Sequence, residues 1–255
     1  MSYSRVECFE KCPFQYRLRY RDNLKTLPTY DAQDPLIVGN AFHMAIETSP
    51  EQAVEWYKSQ YPIVTDLHIE ECMKLLRIGT LAKVMVDSLS AGSAPIYEYG
   101  VYDEEYDWIG YMDCLIPRAK GVFTLLDFKY ASSVDRYITS PQLAIYRHML
   151  GRRGYTVADA YFVVAPKINI RRKKDETDEE FRMRLNGELD AYTAEDIHLI
   201  RPTIDGAKAV REYIKLMKEI RSTEEFPRNA TRLCSWCAYQ RYCESDGNDL
   251  TDIDI

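Results

Sequence analysis

The sequence predicts an α/β fold in which a central sheet is flanked by helices, and two observations lead to this prediction. The first is a run of helical patterns that extends to about residue 90 and is broken by turn residues at 92–95. The second is a strand-rich block over 96–130, followed by a further helix and a further strand. No internal repeat or clear linker interrupts this order. One domain over 1–255, with a helical insertion at 50–92, is therefore the simplest division.

The helices are predicted from apolar spacing and from residues that start or end helices. Ser4 and Glu7 have the spacing of a capping box and would start the first helix, and Pro13 marks a break or a new start. Longer helical patterns predict three more helices, at 37–47, 51–60 and 66–89. The last two make up the predicted helical insertion.

The strands are predicted from short runs of apolar and aromatic residues bounded by turn residues. Three such runs cover 96–102, 106–116 and 122–130. Residues 117–121 form a hairpin-like turn between the second and third runs, so these two strands are expected to pair. The pattern is completed by a helix from Pro141 to Leu150, a strand at 157–165 and a helix at 204–222.

Two charged segments each allow two interpretations. Arg17, Arg19 and Arg21 are either a solvated face or a set of phosphate contacts. Residues 166–180 contain a basic run followed by an acidic run, which is typical of an exposed loop. That loop is either a solvated insertion or a flap that contacts a nucleic acid.

Composition and charge exclude several classes of protein. The 255 residues are 46% hydrophobic, which is typical of a globular chain, and no apolar run approaches the roughly 20 residues that span a bilayer. The N-terminus lacks the apolar core of a signal peptide, so we expect a cytoplasmic protein that does not associate with membranes. The net charge of −7 argues against a protein that coats DNA, although a local basic strip could still bind it.

One predicted strand carries two charged residues on the same face. Asp127 and Lys129 are two residues apart, so their side chains project together while Phe128 points to the opposite side. Asp113 lies on the preceding strand of the hairpin, and cross-strand pairing would bring it beside Asp127. Two such carboxylates repel each other unless a cation lies between them, and oxygen ligands favour Mg²⁺ or Mn²⁺. A surface salt bridge between Asp127 and Lys129 is the alternative interpretation.

A centre of this kind suits the cleavage of a phosphodiester. A bound Mg²⁺ activates water and withdraws charge from a phosphate oxygen. Lys129 would orient or deprotonate that water, or stabilise the transition state, and the sequence does not choose among these roles. Two polar pairs with i,i+4 spacing lie on predicted helices, His43 with Glu47 and Gln142 with Tyr146.

Cysteines at the two ends of the chain predict a second site. The four candidates are Cys12, Cys234, Cys237 and Cys243. Three local thiols and one remote thiol can close a tetrahedral thiolate site around a metal or an iron–sulfur cluster. Segments 1–21 and 226–245 would then form a clasp that joins the termini. Cys8 is an alternative fourth ligand, but the neighbouring Pro13 favours Cys12. Cys72 and Cys114 are interpreted as ordinary buried thiols.

The order of these motifs resembles the nuclease core of the PD-(D/E)XK superfamily, in its RecB-like branch. The matching motifs are Gly39-x-x-x-His43, Gly110-x-x-Asp113, Asp127-x-Lys129 and Gln142-x-x-x-Tyr146. The cysteines resemble the iron–sulfur clasp of AddB-type subunits and of CRISPR-associated exonucleases, and similar small exonucleases occur in bacteriophages. Met112 precedes Asp113 where the superfamily name has Pro, a departure that is common in this branch.

The resemblance implies a restriction-endonuclease-like core with a central mixed sheet, and it implies roles for the motif residues. Mg²⁺ or Mn²⁺ would be bound by His43, Asp113, Asp127 and the backbone carbonyl of Phe128. The catalytic residues would be Asp113, Asp127, Lys129, Gln142 and Tyr146, with Lys129 as the catalytic lysine and the last two positioning it or the substrate. A structural [4Fe-4S] cluster would be held by Cys12, Cys234, Cys237 and Cys243.

These roles describe a metal-dependent DNA exonuclease that acts on single strands or DNA ends. One alternative is a DNA-end-binding or CRISPR-adaptation-type factor that works in a complex and cuts little. Another is a zinc-ribbon-like binding protein without catalysis. Protein partners or a homo-oligomer are compatible with these hypotheses.

Overall fold

The computed structural model describes residues 1–254 and contains a five-stranded mixed sheet flanked by helices, which confirms the predicted fold class. The helices are α1 (Tyr3–Lys11), α2 (Pro13–Tyr16), α3 (Pro35–Glu47), α4 (Pro50–Ser59), α5 (Asp66–Ser90), α6 (Asp135–Ile138), α7 (Gln142–Arg152), α8 (Asp178–Ala191), α9 (Gly206–Ser222) and α10 (Gln240–Glu244). The strands are β1 (Lys25–Thr26), β2 (Ile96–Asp103), β3 (Trp108–Ala119), β4 (Val122–Ala131), β5 (Thr156–Pro166), β6 (His198–Ile200) and β7 (Ile253–Asp254). A π-helical turn spans Arg17–Arg21, and 3₁₀ turns span Ala194–Asp196 and Arg232–Trp236.

The large sheet has the strand order β2-β3-β4-β5-β6. Strands β3 and β4 are antiparallel, β4 and β5 are parallel, and β5 and β6 are antiparallel. A parallel pair needs a crossover connection, which α6 and α7 supply between β4 and β5. The small sheet pairs β1 with β7.

The β3–β4 hairpin sets the register on which the predicted site depends. Cys114 pairs with Leu126, so Asp113 and Asp127 are the next residues along the two strands. The turn between the strands contains Gly121 at a φ of +71°, a conformation that glycine adopts without steric cost. The hairpin predicted from the sequence therefore forms with the expected pairing.

One face of the sheet packs against the helical layer. Phe128 on β4 and Val163 on β5 belong to the same buried cluster as Phe42 on α3, Ile78 on α5 and Leu185 on α8. Because side chains alternate along a strand, the residues on either side of Phe128 point to the opposite face. Among residues 1–254, no helix combines the length and apolar content that a bilayer crossing requires.

The charged segment at 166–180 is more ordered than the sequence indicates. Arg184 donates to the Glu176 carboxylate at 2.7 and 2.8 Å, and Thr177 caps the start of α8. The prediction of a loop up to 180 is therefore wrong at its end, and α8 and β6 were not predicted. The apolar residues of α8 are spaced four apart but lie among charged neighbours, which concealed the helical pattern. The first helix is likewise capped by Ser2 and not by Ser4.

Internal contacts divide the chain into two compact units. The first contains Met1–Thr29, Tyr102–Gly110 and the chain from Ala207 onwards, and the second contains Tyr30–Val101 and Tyr111–Gly206. The predicted single domain with a helical insertion remains a prediction.

Within the first unit, the two ends of the chain are tied together. Phe14 N–H donates to the carbonyl of Pro227 at 3.2 Å, and the Asn229 side chain donates to the carbonyl of Lys11 at 2.8 Å. A small apolar cluster of Leu18, Tyr239 and Ile253 lies in the same region. The terminal segments named in the sequence analysis therefore pack against each other.

A close approach between α3 and α5 leads to a stability prediction for Gly79. A methyl group added there would lie 2.7 Å from Cβ of Ala45, and neither atom can rotate away. Gly79→Ala should therefore lower the free energy of unfolding by about 1–3 kcal/mol, although alanine favours helices. Gly187→Ala on α8 is the matched control, because the added methyl meets nothing within 4 Å, and it should raise stability by about 0.5–1 kcal/mol. Urea unfolding measures both, and an unchanged Gly79→Ala would contradict the observed helix spacing.

Candidate active site and cysteine cavity

The second unit brings the predicted nuclease-motif residues to one place. Strand β4 carries Asp127 and Lys129 on the face opposite Phe128, and β3 supplies Asp113 from the paired strand. Helix α3 supplies His43, whose Nδ1 lies 3.7 Å from Oδ2 of Asp113. The roles predicted for these residues remain predictions, but their side chains do meet.

The side chain of Asp113 is held by a backbone hydrogen bond. Its Oδ2 accepts a hydrogen bond from the backbone N–H of Phe128 at 2.7 Å. Burial raises the pKa of Asp113 well above its usual range, and the nearby charge of Asp127 raises it further. Two buried carboxylates this close are stabilised in their ionised forms by a cation.

Lys129 supplies one positive charge to the group. Its ammonium forms an ion pair with Oδ1 of Asp127, whose side chain is only 1% exposed. Burial lowers the pKa of Lys129, but the attraction of Asp127 and Asp113 outweighs burial and leaves the pKa raised. Lys129 is therefore an ammonium at neutral pH, and its side chain is 23% exposed.

His43 faces the backbone carbonyl that the sequence analysis named as a metal ligand. Its Nε2 lies 3.0 Å from the carbonyl oxygen of Phe128. Burial lowers the pKa of His43, and the charge of Lys129 lowers it further, so the imidazole is neutral at neutral pH. Neighbouring ligands of an octahedral Mg²⁺ lie roughly 3 Å apart, and a neutral imidazole can offer a lone pair. Two carboxylates, an imidazole and a carbonyl are donor types that bind a divalent ion. Within residues 1–254, however, the ligand atoms of His43, Asp113 and Asp127 do not all lie within 4.8 Å of one another, so their side chains would have to move closer to share one ion.

Helix α7 holds the opposite side of Asp127. Gln142 Nε2 donates to Oδ2 of Asp127 at 2.7 Å and lies 3.2 Å from the Tyr146 hydroxyl. The two residues are one helical turn apart, so both face β4. This contact fixes the orientation of a carboxylate that also pairs with Lys129.

The structure adds two acids that the site prediction did not include. His43, Glu47 and Glu98 each offer a ligand atom, and these atoms lie within 4.8 Å of one another. Burial raises the pKa of Glu47 to about 7, and the neighbouring Glu98 contributes to this shift. The i,i+4 spacing of His43 and Glu47 places them on one helical face, but nothing in the sequence points to Glu98. Glu98 lies on β2 with a φ of +48°, an uncommon conformation for a residue other than glycine.

In the first unit, the four clasp cysteines line one cavity of about 770 Å³. They are Cys12, Cys234, Cys237 and Cys243. Burial raises the pKa of Cys237, and the other three thiols contribute to the shift. Among residues 1–254, no three cysteine sulfurs lie within 4.8 Å of one another.

The three remaining cysteines lie apart from that cavity lining. Cys8 is buried on α1 and is not part of the lining. Cys72 and Cys114 belong to the apolar cluster of the second unit, where burial raises their pKa values to about 11 and about 12.

The chain is similar to a nuclease family and to two solved structures. The family model described as the PD-(D/E)XK nuclease superfamily matches residues 1–244. The crystal structure of a putative exonuclease from Eubacterium rectale is similar over 92% of this chain and 92% of that chain, with 14% identity and a TM-score of 0.44. The crystal structure of SSO0001 is similar over 96% of this chain and 85% of that chain, with 13% identity and a TM-score of 0.40. No curated protein matches the chain at a significant level.

Proposed function

The chain belongs to the PD-(D/E)XK nuclease superfamily, and from this membership we propose that it is a divalent-metal-dependent DNA exonuclease acting on single strands or DNA ends. The observation that carries the proposal is the meeting of His43, Asp113 and Asp127 beside Lys129 in the second unit. One lysine leaves a net negative charge between two buried carboxylates, and removing such charge from water is costly unless a cation compensates it. The exonuclease mode and the preference for single strands or ends belong to the proposal.

In this proposal the protein contributes positioning and fixed charge. His43, Asp113, Asp127 and the carbonyl of Phe128 would hold Mg²⁺ or Mn²⁺. The bound metal supplies Lewis acidity toward a phosphate oxygen and toward water. Lys129 adds positive charge where charge develops on the phosphate during cleavage.

Gln142 acts in this scheme by orienting Asp127. Gln142→Ala removes the 2.7 Å hydrogen bond to Oδ2 and leaves the carboxylate free to rotate. We expect cleavage to fall about 10- to 100-fold, with a higher Mn²⁺ concentration needed for half-maximal rate. Gln52→Ala on α4, where the side chain is exposed, is the control. Equal rates for the two variants at every metal concentration would remove Gln142 from the scheme.

We also propose that the cysteine cavity holds a structural [4Fe-4S] cluster. Its support is that the four predicted cysteines, from both ends of the chain, line one cavity. A single tetrahedral zinc holds its sulfurs under about 4 Å apart, a closer spacing than any three of these cysteines reach within residues 1–254. Zinc and an iron–sulfur cluster are the two occupants to distinguish for these thiols. Iron analysis and absorption near 400 nm, on protein purified without oxygen, separate the two.

The direct test of function uses oligonucleotides labelled at the 5′ or the 3′ end. Single-stranded, blunt and frayed substrates are incubated with anaerobically purified protein, with and without Mn²⁺. We expect metal-dependent release of mononucleotides or short products from one end of single-stranded or frayed DNA. Binding to ends without cleavage would instead favour the DNA-end-binding factor, which would need a partner. The same preparation shows whether protein partners or a homo-oligomer are present.

A further inference from the structure

An exposed aromatic surface lies beside the cysteine cavity. Trp236 is 87% exposed and Leu233 is 58% exposed, although both line the same cavity as the cysteines. The other two tryptophans are Trp108, which is fully buried, and Trp56, which is half-buried. Burial in the core therefore does not explain why the chain has a tryptophan at position 236.

The 3₁₀ turn at Arg232–Trp236 separates its side chains into rows. With three residues per turn, residues three apart lie on the same side. Cys234 and Cys237 form one such row, and Leu233 and Trp236 form the next. Leu233 and Trp236 line the same cavity as the thiols, but their side chains remain largely exposed to solvent.

The charge of the surrounding segments indicates which partner this surface fits. Segments 1–21 and 226–245 carry eight Lys and Arg against three Asp and Glu, in a chain whose net charge is −7. Three of these arginines pair with acids just outside the segments, Asp22, Asp246 and Asp252. Arg228 is paired with Asp246 at 2.6 Å, whereas Arg232 forms no ion pair with any residue in 1–254. Arg232 and Trp236 line the same cavity, and an unpaired guanidinium and an exposed indole on one surface suit a phosphate and an unstacked base of the same strand.

We propose that Trp236 stacks on a base of single-stranded DNA and that Arg232 contacts the adjoining phosphate. This inference rests on the proposed function, because it names where the first unit would hold the nucleic acid. A protein partner is the competing occupant. An apolar protein surface would not require the unpaired Arg232 or the basic excess of the two segments.

The test measures binding without cleavage. Oligo-dT that contains 5-bromodeoxyuridine is irradiated with the full-length protein in buffer without added divalent metal, and the crosslinked residue is mapped by mass spectrometry. Fluorescence anisotropy of labelled oligo-dT gives Kd. We expect the crosslink at Trp236, a roughly tenfold higher Kd for Trp236→Ala, and a change within about threefold for Trp236→Phe, which keeps a ring. Arg232→Ala should weaken binding and reduce its salt dependence.

Two controls keep the result specific. Tyr30→Ala removes an exposed ring from the second unit, and Arg211→Ala removes one exposed positive charge from α9. Both should bind oligo-dT like the unmodified protein, and thermal unfolding confirms that all variants fold. Crosslinks elsewhere, or an unchanged Kd for Trp236→Ala, would overturn this inference and point to a protein partner. This experiment measures binding and not cleavage, so failure to bind through Trp236 would not contradict the proposed nuclease activity. Conversely, absence of cleavage in the nuclease assay would not contradict binding of DNA through Trp236.

Discussion

Replacing Asp127 with alanine is expected to lower metal-dependent DNA cleavage by at least about 10³-fold while the protein stays folded. The carboxylate is 1% exposed, pairs with Lys129 and accepts from Gln142, so its loss removes a fixed and oriented ligand from the proposed metal site. Folding should survive, because Lys129 is 23% exposed and can turn toward water once its partner is lost. The measurement is the rate of product release from labelled oligonucleotides, with circular dichroism as the check on folding.

The control for this substitution is Asp159→Ala on the neighbouring strand β5. Asp159 is also an aspartate of the sheet, but it pairs with the exposed Arg201 at the surface. Its loss should leave cleavage within about twofold, since exposed ion pairs contribute little. Cleavage by Asp127→Ala at the unmodified rate would move the active site elsewhere in the chain.

Replacing Cys237 with alanine is expected to cause the second large effect, on stability and not directly on chemistry. If the four cysteines hold a cluster, losing one ligand removes binding free energy that is also folding free energy. Cys237 further packs against the small cluster of Leu18, Tyr239 and Ile253. We expect loss of absorption near 400 nm, a melting temperature lower by about 10 °C or more, and poor solubility.

Cys72→Ala is the matched control, because Cys72 is a buried thiol of the second unit outside the cavity. It should keep the full iron content and lose only about 1 kcal/mol of stability. If Cys237→Ala folds, cleaves DNA and keeps its iron like Cys72→Ala, the cluster proposal fails. That outcome would not bear on the proposed metal site at His43, Asp113 and Asp127.

The parts of the fold that the sequence predicted well are those set by local patterns. The 117–121 turn and the alternation along β4 were sufficient to place Asp113 beside Asp127. Helix α8 was not predicted, because its three buried apolar residues are separated by charged residues, and one of these, Arg182, pairs with Asp66 far along the chain. Long-range pairing of this kind has no local pattern.

The candidate site shows the same limit. His43, Lys129 and Gln142 were predicted because each belongs to a short motif, and the structure brings them together. Glu98 belongs to no motif and meets His43 and Glu47 only because β2 lies at the edge of the sheet. The shared cavity of the cysteines follows from packing between segments more than 200 residues apart, as in the bond from Asn229 to Lys11.

The central claim is that one divalent ion binds between His43, Asp113 and Asp127. A crystal soaked in Mn²⁺ and measured at the manganese absorption edge tests it directly. We predict an anomalous peak within about 2.3 Å of both carboxylates and of the imidazole, with the carbonyl of Phe128 as a further ligand. No peak at saturating Mn²⁺, or a peak held only by Glu47 and Glu98, would contradict it.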